Sequence, residues 1–146
     1  MCMNQELKIK WHSFYGQILM YEKLKTAWSQ VKANKGAPGV DGETIKEYDS
    51  HSYKNLHNLF EKLKEKEYIP SPARRVYIPK KNGKKRPLGI PTVEDRIVQQ
   101  EVVNSIQPKL EKHIFHKWSC GYRPNRGIER VIQIIMANLE QGYNYI

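Results

Sequence analysis

Apolar residues recur at helical spacing in the first half of the chain. Between residues 16 and 33 they fall at i, i+3, i+4 and i+7, which predicts an amphipathic helix with Trp28 in the core. The same pattern returns between Ser52, a suitable N-cap residue, and Pro70, which lies beyond the end of a second helix. The residues that set the two patterns are Leu24, Ala27, Trp28, Val31, Leu56, Leu59, Phe60 and Leu63.

Two further helices are predicted in the second half of the chain. Thr92 followed by Asp95 is a variant capping box and begins a helix at about residue 93. Pro108 should kink this helix, because proline removes a backbone donor. A last helix is expected over residues 128–140. The apolar stripes, which we expect to be buried, are Ile97, Val98, Val102, Ile106 and Leu110 in the first of these helices and Val131, Ile132, Ile135 and Leu139 in the second.

Between these helices, Arg74, Val76 and Ile78 alternate with Arg75, Tyr77 and Pro79, and a second extended run follows at residues 86–90. Asn82 and Gly83 lie between the runs and accept the positive φ angles of a two-residue hairpin turn, so the segment predicts a β-hairpin. Upstream, Gly-Ala-Pro-Gly at residues 36–39 predicts a loop, with a short helical turn at 44–48. We therefore expect one mixed α/β (α+β) domain, mostly helical with one β-hairpin.

Composition adds an excess of positive charge that is concentrated around the hairpin. The 146 residues include 25 Lys or Arg and 15 Asp or Glu, a formal net charge of +10, and 39% are hydrophobic. These values suit one modest core and a polyanionic partner. Residues 62–87 alone carry a net charge of +8, although Lys62, Lys64 and Lys66 within them fit a solvated helix face.

On charge alone the hairpin tip has two interpretations. Like charges that face each other across a ladder are destabilising, so a tip this basic suits a fold that binds an anion there. Alternatively, a lysine-rich edge hairpin is a common protection against aggregation. The basic residues of the tip are Lys80, Lys81, Lys84, Lys85 and, at the base of the returning strand, Arg86.

Several classes of protein and site are not indicated. No apolar run approaches the roughly 20 residues of a membrane span, and no apolar block with a processing site opens the chain, so we expect an intracellular protein, cytoplasmic if bacterial. Cys2 and Cys120 are expected to be reduced thiols. His113, His116 and Cys120 lack the fourth ligand of a closed metal site, and we expect no metal there.

Three segments resemble, in order, blocks of the group II intron reverse transcriptases, which are RNA-directed DNA polymerases and maturases. Residues 34–42 (NKGAPGVDG) resemble the first block, residues 74–100 the fingers hairpin, and residues 120–127 (CGYRPNRG) the GFRPGR block. In the last, Tyr122 replaces the usual Phe and Asn125 the usual Gly. The resemblance covers roughly residues 27–146 and implies the fingers subdomain of a right-hand polymerase. Its parts would be an N-terminal helix and first-block loop (1–45), a helical segment (46–73), the hairpin (74–91), a helix (92–117), and the third block, a helix and the approach to the palm (118–146).

The resemblance also implies roles for single residues. Lys80 and Arg86, on opposite arms of the hairpin, are where the family contacts the incoming nucleoside triphosphate, and an arginine can bond two phosphate oxygens at once. Residues 36–42 resemble the loop that covers the template, although the sequence pattern alone favours an ordinary loop. Leu88 resembles the residue beneath the templating base, and Tyr122 either belongs to the core or stacks on a base. The implied RNA or template contacts are Lys32, Asn34, Lys35, Gly36, Arg74, Arg75, Lys81, Lys84, Lys85, Leu88, Arg123 and Arg126, of which Lys81, Lys84 and Lys85 fit a solvated tip nearly as well.

In this family the catalytic aspartates, which hold two Mg²⁺ ions, lie outside the segments matched, so we expect no polymerisation by this chain alone. The parent protein would be a nucleotidyltransferase, an RNA-directed DNA polymerase that also helps its intron RNA to splice. The chain would bind template and group II intron RNA, RNA/DNA hybrid and nucleoside triphosphates. The sequence leaves open whether the chain self-associates. The alternative is a self-standing basic RNA-binding module. An end at Tyr145 and Ile146, inside what should become a strand, favours the polymerase.

Overall fold

The computed structural model describes residues 20–116 and 118–143, together with Gly16. Along these residues the elements are α1 (Tyr21–Ala33), α2 (Ile45–Ser50), α3 (Ser52–Lys64), β1 (Arg74–Pro79), β2 (Lys85–Ile90), α4 (Val93–His113) and α5 (Ile128–Glu140). The expected α+β class, mostly helical with an antiparallel hairpin, is confirmed. None of these described helices is long and apolar enough to cross a membrane.

Contacts divide the chain into two compact units, Met1–Gln107 and Pro108–Ile146. The boundary falls inside α4, which continues through Pro108 as one helix. The kink at Pro108 and the single domain over residues 1–146 stay predictions. Cys2, most of the segment before residue 20 and the chain end at Tyr145 and Ile146 lie outside the described residues.

The core of the first unit is built by the apolar faces that the helical spacing predicts. On α1 the buried residues are those at i, i+3, i+4 and i+7, and Trp28 packs its ring 4.8 Å from that of Tyr48 on α2. The prediction that Trp28 is core is therefore confirmed. Burying a side chain of this size contributes about 1.5–3 kcal/mol. The cluster consists of Leu24, Ala27, Trp28, Val31, Tyr48, Leu56, Leu59, Leu63, Val93 and Ile97, with Phe60 partly buried against it.

Helix starts in the first unit follow capping chemistry. The predicted turn at residues 44–48 belongs to α2, which Thr44 caps by accepting from the backbone N–H of Glu47 at 3.2 Å, while the Glu47 carboxylate accepts from the N–H of Thr44 at 2.8 Å. These bonds lower the pKa of Glu47. The predicted cap at Ser52 is wrong, because Ser52 is already the first residue of α3 and His51 precedes it without a side-chain cap.

The start of α4 confirms the predicted capping box and adds an anchor for the hairpin. Asp95 donates its backbone N–H to the Thr92 hydroxyl at 3.2 Å, and that hydroxyl donates to the Asp95 carboxylate at 2.6 Å. The same buried carboxylate accepts from the hydroxyl of Tyr68 and from the backbone N–H of Ser71 at 3.3 Å. Burial, together with the bond to Asp95, raises the pKa of Tyr68, so its hydroxyl remains a donor. The segment that enters β1 is thereby fastened to α4.

The predicted buried stripes of the last two helices are only partly present. On α4, Ile97 is buried, but Val98, Val102, Ile106 and Leu110 are half-buried, because the core cluster reaches this helix only near its N-terminal end. None of the described residues of α5 is buried, and Ile132 and Leu139 are about half exposed. The predicted helical spacing is correct for both helices. The prediction that the apolar stripes are buried is wrong for most of their residues.

Candidate nucleic-acid interface

The hairpin places predicted contact residues on one face. β1 and β2 pair in a register that opposes Ile78 to Arg86. The backbone N–H of Lys80 donates to the carbonyl oxygen of Lys84 at 2.7 Å, which extends the ladder beyond the strands. Because residues two apart on a strand share a face, Lys80, Lys84 and Arg86 lie on the same side of the hairpin.

Lys80 and Arg86 are diagonal neighbours across the two strands, a relation in which the backbones are about 7–8 Å apart. Both side chains are exposed, and both are long enough to converge on one anion. Leu88 lies on the same face, opposite Val76, and is 41% exposed. The geometry permits the predicted nucleotide clamp, and the binding itself stays a prediction.

The turn at the tip differs from the predicted two-residue turn. Lys81, Asn82 and Gly83 form a three-residue loop, in which Gly83 donates to the carbonyl of Lys80 at 3.0 Å. Within this loop only Gly83 has a positive φ, at +76°, because a three-residue loop needs a single left-handed residue before the returning strand. The Asn82 side chain accepts from the N–H of Lys84 at 3.2 Å and stiffens the turn.

The other basic residues of the hairpin divide between its faces. Arg74 shares the face of Lys80 near the root and is half-buried, and its Nε is buried without a hydrogen-bond partner in the described part of the chain. Arg75 and Lys85 alternate with that face and are exposed on the other side. Lys81 is exposed in the loop. Positive charge therefore surrounds the tip instead of forming a single stripe.

Arg96 on α4 holds the loop at residues 36–42 in place. Its Nη2 donates to the carbonyl oxygen of Ala37 at 2.9 Å and its Nε to that of Thr92 at 3.3 Å. A Cβ on Gly36 would overlap Nη1 of Arg96, so a larger residue there would require the guanidinium to shift. Burial lowers the pKa of Arg96, and Asp41 partly offsets this. Arg96 was not among the predicted site residues. The signal that could have pointed to it is its position directly after Asp95 of the capping box.

The residues beside this loop that are predicted to contact RNA differ in whether their side chains are already paired within the protein. Lys32 pairs with Asp49, with Nζ 2.8 Å from both carboxylate oxygens, so an RNA phosphate would have to compete for it. Asn34 caps the end of α1 through its backbone and is exposed. Lys35 follows in a left-handed conformation, with φ of +46°, and is exposed. The template contacts proposed for these residues stay predictions.

Arg123 is built into the interior of the second unit. Its guanidinium forms a bidentate pair with Glu111, with Nε to Oε1 at 2.9 Å and Nη2 to Oε2 at 2.7 Å, and only 3% of its side chain is exposed. Nη1 donates to the carbonyl oxygens of His116 and Ser119 at 2.8 and 2.6 Å. The bond from Arg123 lowers the pKa of Glu111. This structure gives Arg123 a scaffolding role, and a template contact would require it to leave these partners.

The loop that contains Arg123 presents an aromatic side chain to solvent. Tyr122 is fully exposed and has φ of +55°, a conformation that is uncommon for a bulky residue. The sequence left two interpretations of Tyr122 open, a core residue and a residue that stacks on a base. Tyr122 is not buried in the described structure, and stacking on a base stays a prediction. Asn125, in place of the usual Gly, adopts φ of +58°, so it accepts the left-handed geometry. Arg126 is half-buried beside Glu111, whose pKa it helps to lower.

Cys120 is a buried free cysteine. Among the residues that the structure describes, no three His, Cys, Asp or Glu side chains gather into a potential metal site.

Comparison with known proteins gives several relatives. Protein YkfC of Escherichia coli strain K12 is 43% identical over 109 residues, which are 73% of this chain and 28% of that protein. Group II intron-encoded protein LtrA of Lactococcus lactis subsp. cremoris is 36% identical over 124 residues, 83% of this chain and 20% of that protein. An uncharacterized 91 kDa protein in the cob intron of Schizosaccharomyces pombe is 29% identical over 116 residues, 78% of this chain and 14% of that protein.

The chain therefore spans less than a third of the length of the curated relatives that it matches. No protein-family model matches the chain.

Proposed function

Because the chain belongs to the group II intron-encoded proteins, we propose that it forms the fingers region of an RNA-directed DNA polymerase with a maturase role. It binds group II intron RNA and template RNA, or an RNA/DNA hybrid, and contributes to the site of the incoming nucleoside triphosphate. The observation that carries this proposal is the shared, exposed face of Lys80, Lys84 and Arg86 on the hairpin.

On this face each residue has its own proposed role. Lys80 and Arg86 bind the triphosphate, the arginine with two parallel hydrogen bonds and the lysine as a mobile charge. Leu88, two residues further along β2, packs beneath the templating base. The lysines of the tip contact backbone phosphates and set the electrostatic part of the affinity.

The loop at residues 36–42 lies along the template strand. Its backbone N–H groups contact phosphates, and Lys35 adds charge beside them. Arg96 keeps the loop in one conformation, so less ordering is required when RNA binds.

The remaining parts of the proposal concern the whole protein. Its catalytic carboxylates and Mg²⁺ ions lie in another region, and this chain alone binds without polymerising. The protein acts inside the cell, where its intron RNA is transcribed. We also propose that the exposed face of α5 mediates self-association, which sedimentation tests directly.

Fluorescence anisotropy with a labelled single-stranded RNA tests the binding proposal. Because affinity is set by phosphate contacts, the logarithm of the association constant should fall linearly with the logarithm of salt concentration, and neutralising six phosphates of a single strand would lower affinity about three hundredfold between 50 and 200 mM salt. Affinity that stays constant across this range would overturn the electrostatic interface.

A further inference from the structure

A cavity of about 370 Å³ lies beside the loop at residues 36–42, between the end of α1 and the middle of α4. Its volume falls within the range of small-ligand sites, about 300–1,000 Å³. Three of its lining residues carry carboxamide groups, and we name it the amide pocket for them. The lining residues are Val31, Asn34, Gly36, Arg96, Gln99, Gln100 and Val103.

A chain of amides orients one wall of the amide pocket. Gln100 donates from Nε2 to Oδ1 of Asn104 at 3.0 Å, and Asn104 donates from Nδ2 to Oε1 of Gln30 at 2.7 Å. Gln100 is thereby held in one orientation, with its Oε1 left to accept from a ligand. A side chain that is already ordered loses less entropy when it binds.

The pocket also contains hydrogen-bonding groups without protein partners. Within residues 20–116 and 118–143 the carboxamides of Asn34 and Gln99 make no hydrogen bond, and Nη1 of Arg96 has no acceptor. These groups supply both donors and acceptors. Val31 and Val103 add apolar surface to the same walls.

This combination fits a flat ring whose edge carries donors and acceptors and whose faces are apolar, which describes a nucleobase. The carboxamides of Asn34 and Gln99, which have no protein partner among the described residues, are of the type that pairs bidentately with adenine, so the set favours a purine over a pyrimidine. Unpaired bases are what proteins read in RNA, since the edges of a paired A-form helix are poorly accessible.

A second cavity on the other side of Gly36 provides the matching phosphate environment. It is lined by Lys32, Lys35 and Lys46 together with Gly36, which contributes to both cavities, and by Asp49, whose charge is offset by its ion pair with Lys32. A nucleotide whose base enters the amide pocket can therefore place its phosphate near Lys35.

We propose that the amide pocket binds one unpaired purine base of a bound RNA, so that sequence is selected here while the hairpin holds the backbone. The inference rests on the RNA-binding function proposed above and assigns to it a ligand subsite.

Anisotropy with two labelled RNAs, an adenosine decamer and a uridine decamer, tests the inference at physiological salt. The protein should bind the adenosine decamer about tenfold more tightly, the size of one bidentate base contact. Gln99→Ala should reduce this preference to less than threefold and leave the affinity for the uridine decamer and the salt slope unchanged. Gln99 is exposed, so the substitution should not affect folding.

Gln133→Ala provides the matched control, because it removes an exposed glutamine from a different helix, α5. It should keep the full preference, and Gln100→Leu should lose the preference as Gln99→Ala does. Equal affinity of the unsubstituted protein for the two decamers, or a preference that survives both pocket substitutions, would overturn the inference while salt-dependent binding still supports the proposed function. Absence of binding to both RNAs would overturn the proposed function and the inference together.

Discussion

Gly39 lies directly against the backbone of Thr92, so closely that a Cβ on Gly39 would stand 2.6 Å from the Cα of Thr92. The two residues are distant in sequence, and their contact joins the loop at residues 36–42 to the first turn of α4. No rotation of a side chain can relieve the overlap, because the atoms on the α4 side belong to the main chain.

Gly39→Ala should therefore destabilise the fold, by about 1–3 kcal/mol if overpacking behaves here as in other cores. Urea unfolding followed by circular dichroism measures the change. Gly121→Ala is the control, since a Cβ there meets no atom within 4 Å and should alter stability little. Equal stability of the two variants would show that the loop is free to move away from α4.

Arg123→Gln should destabilise the second unit, because it removes the bidentate pair and leaves the Glu111 carboxylate without its cation. Arg130→Gln, at an exposed position on α5, should leave the melting temperature nearly unchanged. Thermal melting monitored by near-ultraviolet circular dichroism would compare them. A melting temperature lowered equally by both substitutions would contradict the scaffolding role of Arg123.

The same pair should make stability depend on pH. In the folded protein the pKa of Glu111 lies below its ordinary value of 4.5, so the pair stabilises fully above that value, and the stabilisation is lost as the pH falls through the folded pKa. The difference in unfolding free energy between the unsubstituted protein and Arg123→Gln should be constant near neutral pH and shrink in acid. Urea titrations from pH 7 to pH 3 measure it, and a difference that does not change with pH would exclude this linkage.

In the full-length protein, Arg86→Ala should raise the nucleotide concentration needed for primer extension, because it removes the proposed charge-assisted contact to the triphosphate. Lys84→Ala, two residues closer to the tip on the same face, should mainly weaken template binding and lower its salt dependence. Steady-state extension assays separate the two effects once circular dichroism shows both variants folded. The clamp assignment fails if Arg86→Ala keeps the unsubstituted nucleotide dependence, or if Lys84→Ala reproduces its defect in full.

This chain by itself should extend no primer when it is given template, nucleotides and Mg²⁺, because the proposed two-metal site lies in another region. Gel analysis of a labelled primer is the measurement, and the full-length protein is the positive control. Extension by the purified chain would place catalytic carboxylates within these residues.

Local patterns were sufficient for the elements and for the first core. The apolar spacing of α1 placed Trp28 correctly, and Thr92 with Asp95 predicted the start of α4, because both depend on residues within one or two turns. The hairpin was also predictable from alternation, although its loop has three residues, with Gly83 as the left-handed residue before the returning strand.

The contacts that organise the candidate site were not predictable in this way. Arg96 reaches Ala37 across 59 positions, and Arg123 pairs with Glu111 across 12 positions, and neither spacing has a periodic signal. For Arg123 the resemblance suggested a template contact, while the structure uses all three of its nitrogens internally. The sequence shows which side chains are basic, and the fold determines which of them already form internal ion pairs or hydrogen bonds.

The anchor that Asp95 provides holds the hairpin at its root only and leaves the tip as the free end. One end is clamped to α4 through Tyr68 and Ser71, while the six-residue strands carry the tip roughly 20 Å away, at about 3.3 Å per residue. A small rotation at the Asp95 anchor therefore displaces the tip by several ångströms. The tip lysines can thus change position while the core beneath the root stays in place.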